Sequence, residues 1–336
     1  MKELGVRVLQ GLVVGLMVWL GAASAWAADK EPVTFDMEKW RAWLAEVRVE
    51  AAGNGIKQEI IDQALSGIDP IPRVIELDRR QPEFTLTFAQ YIERVVPDRR
   101  VQKGRQVYEQ HRALLEKVGK EIGVQPRFIV ALWGIETDFG RLTGGFSVVN
   151  SLATLAFDGR RSAYFRKELF DALRILDEGH ITPDKMTGSW AGAMGQPQFM
   201  PSSFVNFAID YDKDGRRDIW TTQADVFGSA ANYLKRVGWK DDQTWGREVR
   251  LPAGFDVALA EDKTMKPIGG WQALGVRNLD GSDLPTRQLP AHIVIPDGVE
   301  GRAFMAYDNF RTTLRWNRSN YFALAVGLLS DRIGGN

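Results

Sequence analysis

The stretch Pro126-Arg127-Phe128-Ile129-Val130-Ala131-Leu132-Trp133-Gly134-Ile135-Glu136-Thr137-Asp138-Phe139-Gly140 reads as one helix with its own start and stop. Proline suits the first helical turn, where its missing N–H would have no partner anyway, and glycine suits the exit. Phe128, Leu132, Ile135 and Phe139 form a buried stripe. Glu136 lies beside it, four residues after Leu132 and three after Trp133, so those side chains flank it. A carboxyl held against Leu and Trp loses hydration, and its pKa should rise. A general acid working near neutral pH needs that shift. The same position equally describes a solvated edge residue, the commonest fate of glutamate on a helix. Asp138 is the nearest second carboxylate, but two residues along a helix points it away from Glu136.

Helical patterning extends to both sides. From Phe35 to about Arg80, Trp40, Trp43, Leu44, Val47 and Ala51 recur at helical spacing, then Ile56, Ile60, Ile61, Ala64 and Leu65. Pro70, Pro72 and Pro82 punctuate this part as turns. Phe84–Val96 and Val101–Ile122 read as two further helices separated at Pro97, and helices with loops continue from Pro126 to Trp245. After Gly246 the texture changes. Five of the fourteen prolines fall between Pro252 and Pro296, among short alternating runs such as Glu248–Leu251 and His292–Ile295, the pattern of a small β-rich insertion. Phe322–Ile333 returns to an apolar helix that should pack on the earlier ones. The fold class is mainly α, with an α+β character.

Composition narrows the chemistry. The 336 residues are 44% apolar and 26% charged, a balance that buries a core and excludes disorder as the main state. Basic and acidic residues both number 43, so no basic field attracts nucleic acid. There is no cysteine, which excludes thiol nucleophiles, disulfides, Cys–zinc sites and a lipid-modified N-terminal Cys, so this is not a lipoprotein. His111, His180 and His292 are scattered, with no metal or triad motif. The chemistry should rest on carboxylates, with no organic cofactor. At the N-terminus, Lys2 and Arg7 precede the apolar run Leu9–Leu20 and then Ala25-Trp26-Ala27. Residues 1–27 therefore read as a secretory signal cleaved after Ala27. The run is short for a spanning anchor, and the mature chain is expected to be soluble and periplasmic.

One loop has a metal-binding rhythm. Asp210, Asp212, Asp214 and Asp218 occupy positions 1, 3, 5 and 9 of an EF-hand-like loop, with Gly215 at 6 and the Arg216 carbonyl at 7. Acids this close repel one another unless a cation joins them. Thr221 stands at position 12 where a bidentate Glu is usual. A structural calcium ion is expected, of modest affinity and with sodium competing.

The segment Ile135–Gly140, and more specifically Gly188-Ser189-Trp190-Ala191-Gly192-Ala193-Met194-Gly195-Gln196-Pro197-Gln198-Phe199-Met200-Pro201-Ser202-Ser203, resembles the membrane-bound lytic transglycosylase B family, glycoside hydrolase family 103. The resemblance runs from about Phe35 to the C-terminus. It implies a lysozyme-like core with a flanking helical domain and a small β domain. On this chain the division falls at 34–100 for the helical domain, 101–245 for the core, 246–310 for the β-rich part and 311–336 for the returning C-terminal segment. It also implies cleavage of the MurNAc–GlcNAc linkage of peptidoglycan with a 1,6-anhydro-muramoyl end, and Glu136 as catalytic acid. Glycan strands would be the partner, with cell-wall synthesis enzymes as candidate protein partners.

Further site residues follow from the same resemblance. Ser189 and Gln198 match positions lining the family's groove, with Gln196 a lesser match. Gly and Ala in that loop would let the backbone approach a saccharide, although the loop also reads as a tight turn between helices. Arg160 and Arg161 match an arginine pair able to meet substrate carboxylates, or are two solvated arginines. Tyr233 matches a groove tyrosine, or is a tyrosine of a helix core. Trp316 stands where the family often has tyrosine. Asp225 matches a late acid of the metal loop, or caps the next helix. Two other functions remain at this level: a hydrolytic muramidase, and a peptidoglycan-binding or scaffolding protein without catalysis.

Overall fold

The computed structural model describes residues 33–79, 86–261 and 263–335. The expected signal segment lies outside them. Helices α1 (Met37–Gly53), α2 (Gln58–Leu65), α3 (Pro72–Arg79), α4 (Phe88–Val95), α5 (Asp98–Gln110), α6 (Arg112–Ile122) and α7 (Pro126–Thr137) come first. Strand β1 (Phe146–Ser147), α8 (Val148–Asp158), α9 (Ser162–Asp177), β2 (Thr187–Gly188), α10 (Pro201–Phe207) and α11 (Gln223–Arg236) follow. After them run β3 (Gly246–Arg250), α12 (Ala258–Glu261), β4 (Lys266–Pro267), α13 (Ile268–Ala273), β5 (Arg277–Asn278), β6 (Pro290–Val294), β7 (Ala303–Ala306), α14 (Asp308–Trp316) and α15 (Asn320–Gly334). The mainly helical class with a small sheet is as expected. Among the described residues no helix is long and apolar enough to cross a membrane.

The elements gather into two compact units. One holds residues 33–79 and 98–236, and the other holds 86–97 with everything after 236. In the first, α8 and α9 pack along each other, and α6 and α7 pack on α5 and α11. Trp40, Trp43 and Phe157 join α1 to α8, with Trp40 and Trp43 stacked at 5.5 Å and Phe157 edge-on to Trp40. The single helix expected over Val101–Ile122 is two helices, broken at His111. His111 leaves helical geometry and sets its ring edge-on against Trp133 and Phe227. Periodicity alone does not register such a break, because apolar residues keep their spacing on both sides of it.

The second unit is built on a five-stranded antiparallel sheet in the order β4-β6-β7-β3-β5. Its core joins Val249, Trp271, Val276, Ile293 and Met305. The two edge strands are two residues long and one carries Pro267, which leaves little edge for another strand to pair with. Helix α15 packs on α14 and α4. Asp297 receives the N–H groups of Phe88 and Ala89 and so caps the start of α4.

Within this unit Gly327 lies flush against the buried Trp245 indole, whose N–H donates to Asp331 at 2.8 Å. A Cβ at 327 would stand 2.3 Å from the ring. Alanine gains about 1 kcal/mol of helix propensity over glycine, but overpacking a filled core costs about 1–3 kcal/mol. With three ring atoms inside 3 Å the cost falls at the upper end, so Gly327→Ala should lower the urea midpoint, with a net loss of roughly 2 kcal/mol of stability. A midpoint equal to or above that of the native protein would contradict the close approach.

Candidate active site

Helix α7 is buried on every side: each residue from Phe128 to Ile135 is buried, so the expected stripe is in fact the whole helix. Glu136 is the one ionisable residue between Phe128 and Thr137, and it is half-buried where the helix leaves the core. The helix stops one residue later. Asp138, Phe139 and Gly140 all take left-handed backbone, with φ of 50, 61 and 82°. Such conformations cost about 1–2 kcal/mol per non-glycine residue, so they need support from outside the helix.

That support comes from several directions. Asp138 accepts bonds from Arg141 at 2.8 Å and from Arg100 of α5 at 3.4 Å, and the Arg100 side chain is 8% exposed. Phe139 packs edge-on to Trp133 at 5.6 Å. The Thr137 hydroxyl donates to the Gln196 carbonyl at 2.9 Å and accepts from the Gly140 N–H. Asp138 lies beyond the last helical residue, so the helical spacing expected to turn it from Glu136 does not apply to it, and its carboxyl is instead committed to the two arginines.

Residues 188–199 form a folded-over loop on a short hairpin. Strands β1 and β2 pair antiparallel, and Met194 bridges to both Gly188 and Phe199. The loop glycines serve internal packing. A Cβ on Gly188 would stand 2.1 Å from the Ala193 carbonyl, and one on Gly192 would stand 2.4 Å from Leu152. They give room to the protein itself, which corrects the expectation of room for a saccharide. Ser189 is half-buried and its Oγ accepts the Ala193 N–H at 3.0 Å. Gln198 is half-buried and donates its amide to the Thr143 and Gly195 carbonyls. Gln196 departs from expectation: it is 5% exposed, and both ends of its amide bond protein groups.

Arg160 and Arg161 are neither free nor simply solvated. Both close on the buried Asp78 of α3, Arg160 through Nε at 2.9 Å and each of the two through an Nη. Arg160 keeps half its side chain exposed. The sequence reading missed Asp78, which lies more than eighty residues away and carries no motif. It also missed Glu168, a buried carboxylate that receives the Ser202 N–H and hydroxyl at the start of α10. Burial pushes the Glu168 pKa up against the bonds from Ser202. Tyr233 is 8% exposed in α11, against Phe199 and with its ring 4.4 Å from that of Phe207. Trp316, half-buried, ends α14 in the other unit.

In the acidic loop, Asp210, Asp212 and Asp214 bring carboxylate oxygens within 4.8 Å of one another. Backbone N–H groups of Asp214, Gly215 and Arg216 hold them there, and Gly215 has φ of 93°. Three hard oxygen donors at this spacing fit a calcium ion. The other two acids are occupied elsewhere. Asp218 accepts from Trp220 and Thr221 N–H and from the hydroxyls of Thr221 and Thr222. Asp225 is fully buried and accepts Tyr211 and Asp218 N–H, each at 2.7 Å. It ties the two ends of the loop together from behind, which corrects its expected role as a late ligand. Burial raises its pKa against those bonds.

The Asp138 carboxyl gives a pH test. Burial works to raise its pKa, but the bonds and charges of Arg141 and Arg100 outweigh that and hold it below the ordinary value. A lowered carboxyl contributes fully above the unfolded pKa, about 3.9, and loses its contribution as pH falls through the lower folded value. The stability gap between native protein and Asp138→Asn should be widest near neutral pH and close below about pH 4. A gap that stays constant down to pH 2 would contradict the ion pairs.

Comparison with known proteins places this architecture. The family described as transglycosylase SLT domain matches residues 39–331. The chain is 31% identical over 297 residues to membrane-bound lytic murein transglycosylase B of Escherichia coli K12, covering 82% of this chain and 77% of that one. SltB3 of Pseudomonas aeruginosa, solved with NAG-NAM-pentapeptide and with NAG-anhNAM-pentapeptide, is 43% identical with a TM-score of 0.86, covering 88% of this chain and 80% of its own. Slt35 of E. coli, solved with calcium, is 29% identical with a TM-score of 0.74, covering 87% of this chain and 92% of its own. With a family match over nearly the whole described chain, and relatives that share both fold and sequence, this protein belongs to the transglycosylase SLT domain family.

Proposed function

We propose that this protein is a lytic transglycosylase that cleaves the MurNAc–GlcNAc β-1,4 bond of peptidoglycan and leaves 1,6-anhydro-MurNAc ends, with Glu136 as acid and then base. The observation that carries the reading is Glu136, the one ionisable residue between Phe128 and Thr137, at the exit of a helix buried on every side, where the Gly188–Gln198 loop packs on the same helix end. Family membership and the two SltB3 complexes support the same pair of ligands for this chain. After export the enzyme would meet its substrate in the periplasm.

The chemistry needs one carboxyl. Protonated Glu136 gives its proton to the glycosidic oxygen, the C1–O bond breaks, and GlcNAc leaves with its 4-hydroxyl restored. The muramoyl N-acetyl group steadies the positive charge at C1. Glu136, now a carboxylate, takes the proton of the C6 hydroxyl as O6 bonds to C1 of the same sugar. Glu136 ends protonated and no water is consumed. An internal nucleophile gains from proximity that a diffusing water lacks. A hydrolytic muramidase would need a second carboxylate or a positioned water, and the next carboxylate along the chain, Asp138, is committed to Arg100 and Arg141.

Ser189, Gln198 and Tyr233 would line the groove. Gln198 spends its N–H groups on the protein, so its Oε1 is the atom free to accept from a sugar hydroxyl or acetamido N–H. Arg160, exposed beyond its Asp78 bonds, and Arg161 behind it would meet substrate carboxylates. Asp210, Asp212 and Asp214, with the Arg216 carbonyl, would hold calcium as a brace, with sodium as its competitor.

Glu136→Gln keeps the shape but cannot pass a proton, and release of anhydro-muropeptides from sacculi should fall about 10²–10⁴-fold. Asp138→Asn should cost much less. By mass, the products should be one water lighter than hydrolytic muropeptides. Near-native release by Glu136→Gln, or fully hydrated products, would overturn the reading.

Calcium should raise the melting temperature of chelator-treated protein, since an ion at a hundredfold excess over Kd adds about 2.7 kcal/mol to a native state that alone binds it. The rise should vanish in Asp210→Ala/Asp214→Ala. No shift at saturating calcium would remove the ion from the picture.

A further inference from the structure

Gln196 is bonded through both its amide and its backbone beside the catalytic helix, and the proton-transfer scheme leaves it without a task. Its Oε1 accepts the Trp133 indole N–H at 2.8 Å, and its Nε2 donates to the Trp220 carbonyl at 2.8 Å. Its own carbonyl accepts from the Thr137 hydroxyl at 2.9 Å, and its own N–H donates to the Ile219 carbonyl at 2.9 Å. Gln223 gives Oε1 a second, longer bond at 3.4 Å. One residue thus bonds α7 at positions 133 and 137, which straddle Glu136, and bonds the turn that leaves the acidic loop at 219 and 220.

We propose that Gln196 is a positioning residue for the transglycosylase reaction, clamping the end of α7 to the Ile219–Trp220 turn so that Glu136 is held in its proton-transferring place. The inference rests on the reading of Glu136 as the acid. Trp133 lies one helical turn before Glu136, on the same face. Its indole is fixed by Phe139, Phe227 and His111 around the ring and by Gln196 at its only polar atom. Thr137 is the next residue after Glu136, and its hydroxyl is directed by the Gln196 carbonyl. With both ends of its amide committed, Gln196 acts on the substrate only through the helix it holds. The clamp also has a demanding environment: the amide is buried, so replacing it with an apolar chain leaves the Trp133 N–H and the Trp220 carbonyl unpaired.

The test uses the full-length mature enzyme and a soluble glycan strand of defined length. Gln196→Met fills the same volume without the amide. Its kcat should fall about 10–100-fold, the size of effect expected when a reacting group is displaced by around an ångström, while KM stays within about twofold. Trp133→Phe, which removes the other half of the bond, should do the same. The double variant should be little worse than either single one, because both break one clamp. Should Gln196→Met fail to fold, Gln196→Glu is read by the same criteria. A raised KM with native kcat would make Gln196 a substrate contact. Native kcat with a lowered melting temperature would make it packing alone, and multiplying effects would make the two residues independent. Each of these overturns the proposal. Glu136→Gln is measured alongside: if it stays active, the reading of the acid has failed, whereas an inactive Glu136→Gln beside an unimpaired Gln196→Met sinks the clamp alone.

Discussion

A carboxyl group at the end of a helix buried on all sides cannot be oriented by that helix alone. The residues beyond Thr137 have no regular secondary structure to lean on, and they adopt three left-handed conformations in succession. Strain of this kind persists only where neighbours over-determine it. Here the neighbours come from far apart in the chain: Arg100 from α5, Gln196 from the folded-over loop, and the indole of Trp133 within α7 itself. Much of the first unit can be understood as the framework that brings those groups to one helix end. The hairpin of β1 and β2 sets the loop, Glu168 fixes the start of α10 beyond it, and Asp225 closes the acidic loop whose exit turn meets Gln196.

Those supports are mostly polar and mostly singular. A hydrophobic contact can be redistributed among neighbours, but a buried amide or carboxylate that loses its partner keeps its full desolvation penalty. The site therefore has little tolerance for small displacements. The absence of cysteine bears on this too, because a chain without disulfides relies on packing and hydrogen bonds to hold its loops. Short antiparallel pairings, caps and ion pairs take that part throughout the molecule.

The helical skeleton was legible because periodicity and punctuation are local properties. Pro126 and Gly140 bracketed α7 to within three residues, and the prolines after Gly246 announced the sheet. Features that depend on distant partners were not legible. The break at His111 answers to two rings from α7 and α11. Strands of two residues, as in β1 and β2, leave no alternation to read. The glycines of the 188–198 loop were visible as glycines, but sequence does not say whether the space they leave is filled by a ligand or by Leu152. Asp225 was a candidate ligand through the family resemblance, which supplies a late acid but not its surroundings, and its burial and its two N–H donors show otherwise. For Arg160 and Arg161 the motif located the pair and was silent about Asp78.

That aspartate has an electrostatic consequence. Two arginines side by side on an open surface would present two positive charges to an approaching strand. With Asp78 held between them, the group carries one net positive charge and a fixed direction, since one guanidinium is partly covered and the other reaches outward. Long-range attraction is thereby halved while short-range geometry is sharpened. In its proposed role such a cluster would discriminate among carboxylates by where they sit rather than by how many there are, and its hold on a polyanionic mesh would change less with ionic strength than that of two unpaired arginines. For an enzyme that acts on peptidoglycan, weak attraction at a distance and strict alignment at contact would be a workable division.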